Sequence, residues 1–161
     1  MKKIFYLISL FVLLIFISGC GGYKPIFGSS ELKFKIADYS IEGEKTLGKK
    51  IYYKLNNLSK SLKDNQDVKN IYFSIKVSKE KNATVKNSTG KILEYRISLK
   101  TEIQVKDFTS NNEILNKTFN YSSTYKVQDQ HSETIKLENK SIETIINKIY
   151  QELLINLSQN I

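Results

Sequence analysis

Leu93-Glu94-Tyr95-Arg96-Ile97-Ser98-Leu99-Lys100-Thr101-Glu102-Ile103-Gln104-Val105 is the stretch that decides the fold. Leu93, Tyr95, Ile97, Leu99, Ile103 and Val105 share one phase of a two-residue period, and mostly charged residues occupy the other. That is the pattern of a long strand with one apolar face and one face turned to water or a polar partner. Similar runs lie on either side. Ile71, Phe73, Ile75 and Val77 alternate with Tyr72, Ser74, Lys76 and Ser78 before it, and Leu115, Phe119, Tyr121, Tyr125 and Val127 keep one phase after it. The polar residues Lys81 to Gly90 and the Ser/Asn-rich stretch Asp107 to Asn112 supply the turns of an antiparallel meander.

Outside the meander the period changes. Leu47, Ile51, Leu55, Leu58 and Leu62 recur at spacings of three and four, one stripe of a helix over about 46–62 with Thr46 as its N-cap and Lys63-Asp64-Asn65 as its stop. From about His131 to Ser158, Ile135, Ile142, Ile145, Ile146, Ile149, Leu153 and Leu157 form a second stripe. Ahead of the first helix, Leu32, Phe34 and Ile36 alternate with Lys33 and Lys35; the strand continues to about Ile41 with a change of phase at Asp38, the sign of a bulge. The order is therefore βαβββα. Two amphipathic helices need an apolar surface and the sheet offers one such face, so the expected fold is α+β, a two-layer sandwich of a four-stranded sheet with both helices on one face.

The N-terminal residues have a different logic. Lys2 and Lys3 precede the apolar run Ile4 to Ile17, and Ile17-Ser18-Gly19-Cys20 follows, which is the layout of a signal peptide ending in the lipobox of bacterial lipoproteins. At 14 residues the run is shorter than the roughly 20 that a membrane-crossing helix needs. The domain boundaries expected from this are 1–19 for the signal peptide, 20–30 for a lipidated tether and 31–161 for a single globular domain. The tether Gly21 to Ser30 holds the one proline, Pro25. Cys20 is the one cysteine, so with its thiol lipidated no disulfide is available and stability rests on packing. Lys and Arg number 25 against 16 acids, a net charge of +9, and loss of Lys2 and Lys3 still leaves the chain basic. In a periplasmic setting that charge suits phosphorylated lipids or the acidic interior of another protein rather than nucleic acid. The richness in Lys, Asn and Ile equally fits a compositional bias with no selection for charge.

No constellation for catalysis appears. His131 is the single histidine, no serine sits in a nucleophile motif, and the glycines form no phosphate cradle. The chain is expected not to be an enzyme and to hold no metal or cofactor. What remains is a set of cations around the central hairpin: Lys76, Lys79, Lys81, Lys86, Lys91, Arg96 and Lys100. Alternation puts Lys76 in the outward phase of its strand and Arg96 with Lys100 in that of the next, a polar face able to bond phosphate. The same lysines would also serve a solvated face that discourages edge pairing.

Gly19-Cys20-Gly21-Gly22-Tyr23-Lys24-Pro25-Ile26-Phe27, the run Thr84 to Leu99 (TVKNSTGKILEYRISL) and the closing helix together resemble the lipopolysaccharide-assembly lipoprotein LptE family. The βαβββα order over the whole mature chain is similar to that family's. The resemblance implies an outer-membrane lipoprotein, lipid-anchored through Cys20 at the periplasmic face. Such a protein plugs and helps assemble the LptD β-barrel and contacts lipopolysaccharide on its way to the outer leaflet. It makes Lys86, in the turn before the Glu94-Tyr95 strand, the first candidate for contact with lipid A phosphates. Lys91 and Arg96 join it by proximity, and Lys136 near the start of the second helix completes the set. The alternatives are a structural lipoprotein that braces another envelope complex or transporter without binding lipid, and a small lipid-anchored hydrolase.

Overall fold

The strands and helices of the chain follow one another as β1 (Phe34–Gly43), α1 (Lys45–Ser61), β2 (Lys69–Lys86), β3 (Ile92–Asp107), β4 (Glu113–Lys126) and α2 (His131–Asn160) in a computed structural model. It describes residues 32–61 and 68–161. The signal peptide, Cys20, the tether, Leu62 and the stop at Lys63-Asp64-Asn65 lie outside the described residues. The four strands form one mixed sheet in the order β1-β2-β3-β4. β2, β3 and β4 make the antiparallel meander, while β1 runs parallel to β2. A parallel neighbour cannot be reached by a tight turn, and α1 supplies the crossover.

The crossover begins at Gly43, whose φ of +72° puts it in the left-handed region. A Cβ there would stand 2.1 Å from the Val77 carbonyl oxygen, so only glycine fits. That carbonyl accepts the Glu44 N–H at 2.8 Å, which closes the strand as the helix starts. Thr46 is not the cap. The Glu44 carbonyl accepts from the N–H groups of Leu47 and Gly48, and Thr46 already lies inside the first turn of α1. At the far end of α1, the buried Ser59 hydroxyl donates to the Phe34 carbonyl at 3.1 Å and fastens the helix to the start of β1.

The apolar phases of the strands fall on one face. Ile71, Phe73, Ile75 and Val77 of β2 and Ile97, Leu99, Ile103 and Val105 of β3 are buried there with Leu115, Phe119 and Tyr125 of β4. Leu47, Ile51 and Leu55 of α1 and Ile142, Ile145, Ile146, Ile149, Leu153 and Leu157 of α2 belong to the same cluster. Both helices cover that face, and the two-layer α+β sandwich stands. Each such side chain withdrawn from water contributes about 1.5–3 kcal/mol before the entropy of ordering it. The phase change in β1 is a bulge between Ile36 and Asp38, as the sequence predicts.

Three details depart from the sequence reading. Lys81 to Gly90 is not all turn: β2 keeps its ladder with β3 as far as Lys86, and residues 87–91 make the turn. A β-ladder bonds backbone to backbone, so a polar run continues a strand when its partner is in place. Ile135 is 45% exposed, because near its start α2 turns the buried Thr134 and Ser141, with the half-buried Glu138 between them, toward the domain. Leu93, at 41% exposed, lies on the hairpin beyond the core.

Candidate functional site

Among the described residues no helix covers the second face of the sheet. Its side chains come from the other phase of each strand. They include Tyr72, Ser74, Lys76, Ser78, Glu80 and Asn82 of β2 and Arg96, Ser98, Lys100, Glu102 and Gln104 of β3. Register opposes Arg96 to Asn82 and Thr124, Ser98 to Glu80 and Ser122, and Lys100 to Ser78 and Asn120. Ser78, Glu80, Ser98, Lys100, Asn120 and Ser122 line an open depression of about 480 Å³. It is a hydrogen-bonding surface of hydroxyls, amides and scattered charge, and it holds no histidine or cysteine. The sequence reading missed this patch, since three serines and an asparagine on three strands share a place only once register is known. The one signal available was their common outward phase.

The cations of the central hairpin separate into two groups. Lys79 and Lys81 do not belong to the open face. Past Val77 they occupy the apolar phase of β2, opposite Leu99 and Ile97, and turn toward α2. There Glu138 receives Lys81 Nζ at 2.6 Å and Lys79 Nζ at 4.0 Å. The Tyr125 hydroxyl also donates to Glu138 at 2.8 Å, and Lys81 Nζ stands 4.5 Å from the centre of the Tyr95 ring. Burial pushes the Glu138 carboxyl up, but the hydrogen bonds from Lys81 and Tyr125 and the charges of Lys81 and Lys79 outweigh it and hold the group below the usual range. Lys81 is raised, chiefly by its hydrogen bond to Glu138. Glu152 repeats the arrangement one stretch along α2, taking Lys117 at 2.8 Å and the Tyr121 hydroxyl. The hydrogen bonds from Lys117 and Tyr121 lower it as well. These clusters fasten α2 to the sheet.

The candidate phosphate ligands stand elsewhere. Lys86 ends β2 and Lys91 precedes β3, so the two flank the hairpin turn. The turn is fixed by Asn87, whose side-chain oxygen accepts the N–H groups of Thr89 at 3.1 Å and Lys91 at 2.8 Å. Gly90 completes it with a φ of +84°. Register shifts at Val85 and Lys86 break the alternation there. Arg96 lies four residues along β3 from Ile92, the register partner of Lys86, or about 13 Å. It is exposed on the open face. Among the described residues no ion pair engages Lys86, Lys91 or Arg96. Lys136 differs on both counts: it pairs with Glu133 at 2.7 Å and it sits on the helix, behind the sheet from Arg96. The fold thus brings Lys86 and Lys91 together, places Arg96 one short reach away, and leaves Lys136 apart. Lys100 is paired with Glu102 at 2.7 Å. Lys126, exposed at the end of β4 and opposite Glu94, belongs to the same end of the sheet and escaped the sequence reading.

Among the solved structures that share this fold are two proteins described as lipoproteins. A protein described as a lipoprotein from Caulobacter crescentus CB15 superposes with a TM-score of 0.55 at 13% identity, over 81% of this chain and 92% of its own. Lipoprotein B from Nitrosomonas europaea superposes with a TM-score of 0.56 at 14% identity, over 83% of this chain and 88% of its own. Identity at that level speaks for the fold alone. No family model and no curated protein matches the chain.

Proposed function

We propose that this protein is an outer-membrane lipoprotein, anchored through Cys20, that plugs and helps assemble the LptD β-barrel and contacts lipopolysaccharide during its passage to the outer leaflet. One observation carries the reading: a full sheet face of hydroxyls, amides and mixed charges that none of the described residues covers. The lumen of a large membrane barrel is polar, so a plug must present hydrogen-bonding groups and not an apolar face. The lipobox, the resemblance of the Tyr23-Lys24-Pro25-Ile26-Phe27 start and the fold common to two proteins described as lipoproteins support the same reading. At the hairpin tip, Lys86 and Lys91 stand unpaired on a turn that Asn87 holds in shape, and Arg96 adds a fork-shaped donor nearby. Phosphate groups of lipid A are the ligand chemistry that suits them.

Affinity purification of the tagged, lipidated protein from membranes is expected to bring a large β-barrel with it; recovery without a barrel would sink the plug. For the lipid contact, Lys86→Glu with Arg96→Glu is expected to weaken lipopolysaccharide binding about a hundredfold or more, since charged hydrogen bonds contribute about 1.5–3 kcal/mol each and two are lost. The melting temperature should stay near that of the parent. Lys136→Glu should have a smaller effect, because Lys136 already has Glu133 as a partner.

A further inference from the structure

The end of the sheet opposite the hairpin tip holds the start of β1, and its surface has a character of its own. Phe34 pairs with Lys69 and Ile71 with Asp107, so the start of β1, the start of β2 and the β3–β4 turn share this end. On the turn stands Phe108, 52% exposed. It is held in a fixed place: its N–H donates to the Asn70 carbonyl at 2.9 Å. The Asp107 carboxylate accepts from the N–H groups of Thr109 at 2.9 Å and Ser110 at 2.8 Å. Those bonds, that of Ser110 first, hold the Asp107 carboxyl below the usual range. Four lysines share this end of the sheet. The Lys69 N–H donates to the Lys33 carbonyl at 3.0 Å, Lys106 precedes the turn, and Lys60 lies in the last turn of α1, which Ser59 fastens to Phe34. None of the four is in an ion pair among the described residues. The described acids at this end are Asp107, whose oxygen serves the turn, and Glu113, which binds Gln104 and Asn116.

An exposed aromatic ring on a turn held by hydrogen bonds, at an end of the sheet that also carries Lys33, Lys69 and Lys106, matches the chemistry of an anionic lipid surface. The ring enters the acyl boundary while the ammonium groups meet phosphates, and apolar area and charge add. We infer that this end of the domain docks on the bilayer surface, with Phe108 inserted and Lys33, Lys69 and Lys106 against lipid phosphates. The inference rests on the lipoprotein reading above, because in sequence the expected tether, 20–30, comes just ahead of β1, whose start is at this end. It does not depend on the barrel or on lipopolysaccharide. Docking here also turns the hairpin tip, with Lys86 and Lys91, away from that surface.

The chain has one cysteine and no tryptophan, and the test exploits both. Residues 20–161, which contain the whole described core, are coupled through the Cys20 thiol to maleimide lipid in vesicles of phosphatidylethanolamine and phosphatidylglycerol. Coupling replaces the cell's lipidation, so failure of Cys20 to be acylated in vivo, read by mass spectrometry, is a separate result. Phe108→Trp and, at the opposite tip, Leu93→Trp each carry the only indole. Bromolipid quenching about twofold or more stronger at position 108 than at 93 is expected, with a blue-shifted emission, for a ring within the headgroup boundary. Replacing phosphatidylglycerol by phosphatidylcholine, or making Lys69→Glu with Lys106→Glu, should reduce that quenching. Equal quenching at both positions, stronger quenching at 93, or none at 108 would overturn the inference.

Discussion

The two faces of this sheet are made by the same strands, residue by residue in alternation, and they meet different fates. On β3, Leu99, Thr101 and Ile103 lie at 1% exposure or less under the helices, while Ser98, Lys100 and Glu102 between them look outward. The covered face is closed by apolar contact and has one flaw in it, the Thr101 hydroxyl, buried with no hydrogen-bond partner. The open face satisfies itself through exposed pairs such as Lys100–Glu102 and leaves Arg96 unpaired. Where the helix layer runs past its apolar stripe, the two styles mix: Lys79 and Lys81 occupy core-phase positions, and Glu138 makes them tolerable by meeting both. Position in the alternation assigns a side chain to a face, and the layer above the face decides whether a lysine there is structural or available.

Substitutions along β2 and β3 should reproduce that contrast. Phe73→Ala, at a site with no exposure, is expected to cost about 3–5 kcal/mol in denaturant unfolding, through lost burial and the cavity left behind. A loss under about 1 kcal/mol would mean that the covered face is loosely packed. Glu138→Gln comes next, at about 1 kcal/mol, a value held down by the partial exposure of Lys81. Its clearer signature is in pH. The Glu138 and Glu152 carboxyls are lowered in the fold, so each contributes stability that is present above the ordinary glutamate range and is lost as pH falls through its lowered value. Glu138→Gln should flatten part of that acid slope, and an unchanged slope would show that Glu138 is not held by Lys81 and Tyr125. Thr101→Val keeps the shape and removes the orphaned hydroxyl; it should stabilise the domain by about 1 kcal/mol, measured by the same unfolding curve. Ser98→Ala on the open face should stay within about 0.5 kcal/mol, and a larger loss would reveal a structural duty for that face.

Much of the layer arrangement was legible because periodicity reports burial directly. The stripe Leu47, Ile51, Leu55 and the alternation from Ile71 to Val77 could satisfy their apolar residues in only one way each. Of the candidate site, Lys86 and Lys91 were legible as neighbours because a hairpin makes them so. The opposed placements of Arg96 and Lys136 were not, since one is set by strand phase and the other by how α2 lies on the sheet. The conversion of Lys79 and Lys81 into fasteners depended on Glu138, more than fifty residues away, and no local pattern announces such a partner.

By itself the sequence determined the order of elements, the apolar face of each, the bulge at Asp38 and the signal-like N-terminus, because each of these depends on neighbours a few residues apart. Only the tertiary structure decided that β1 lies parallel to β2 at the edge, that β2 runs on to Lys86, that a hydroxyl and amide patch gathers from three strands, and that Phe108 stands at the end of the sheet where β1 and β2 start. Those outcomes depend on register and on packing between segments distant in the chain, where energies of a few kcal/mol select one alignment among several that local pattern leaves equivalent.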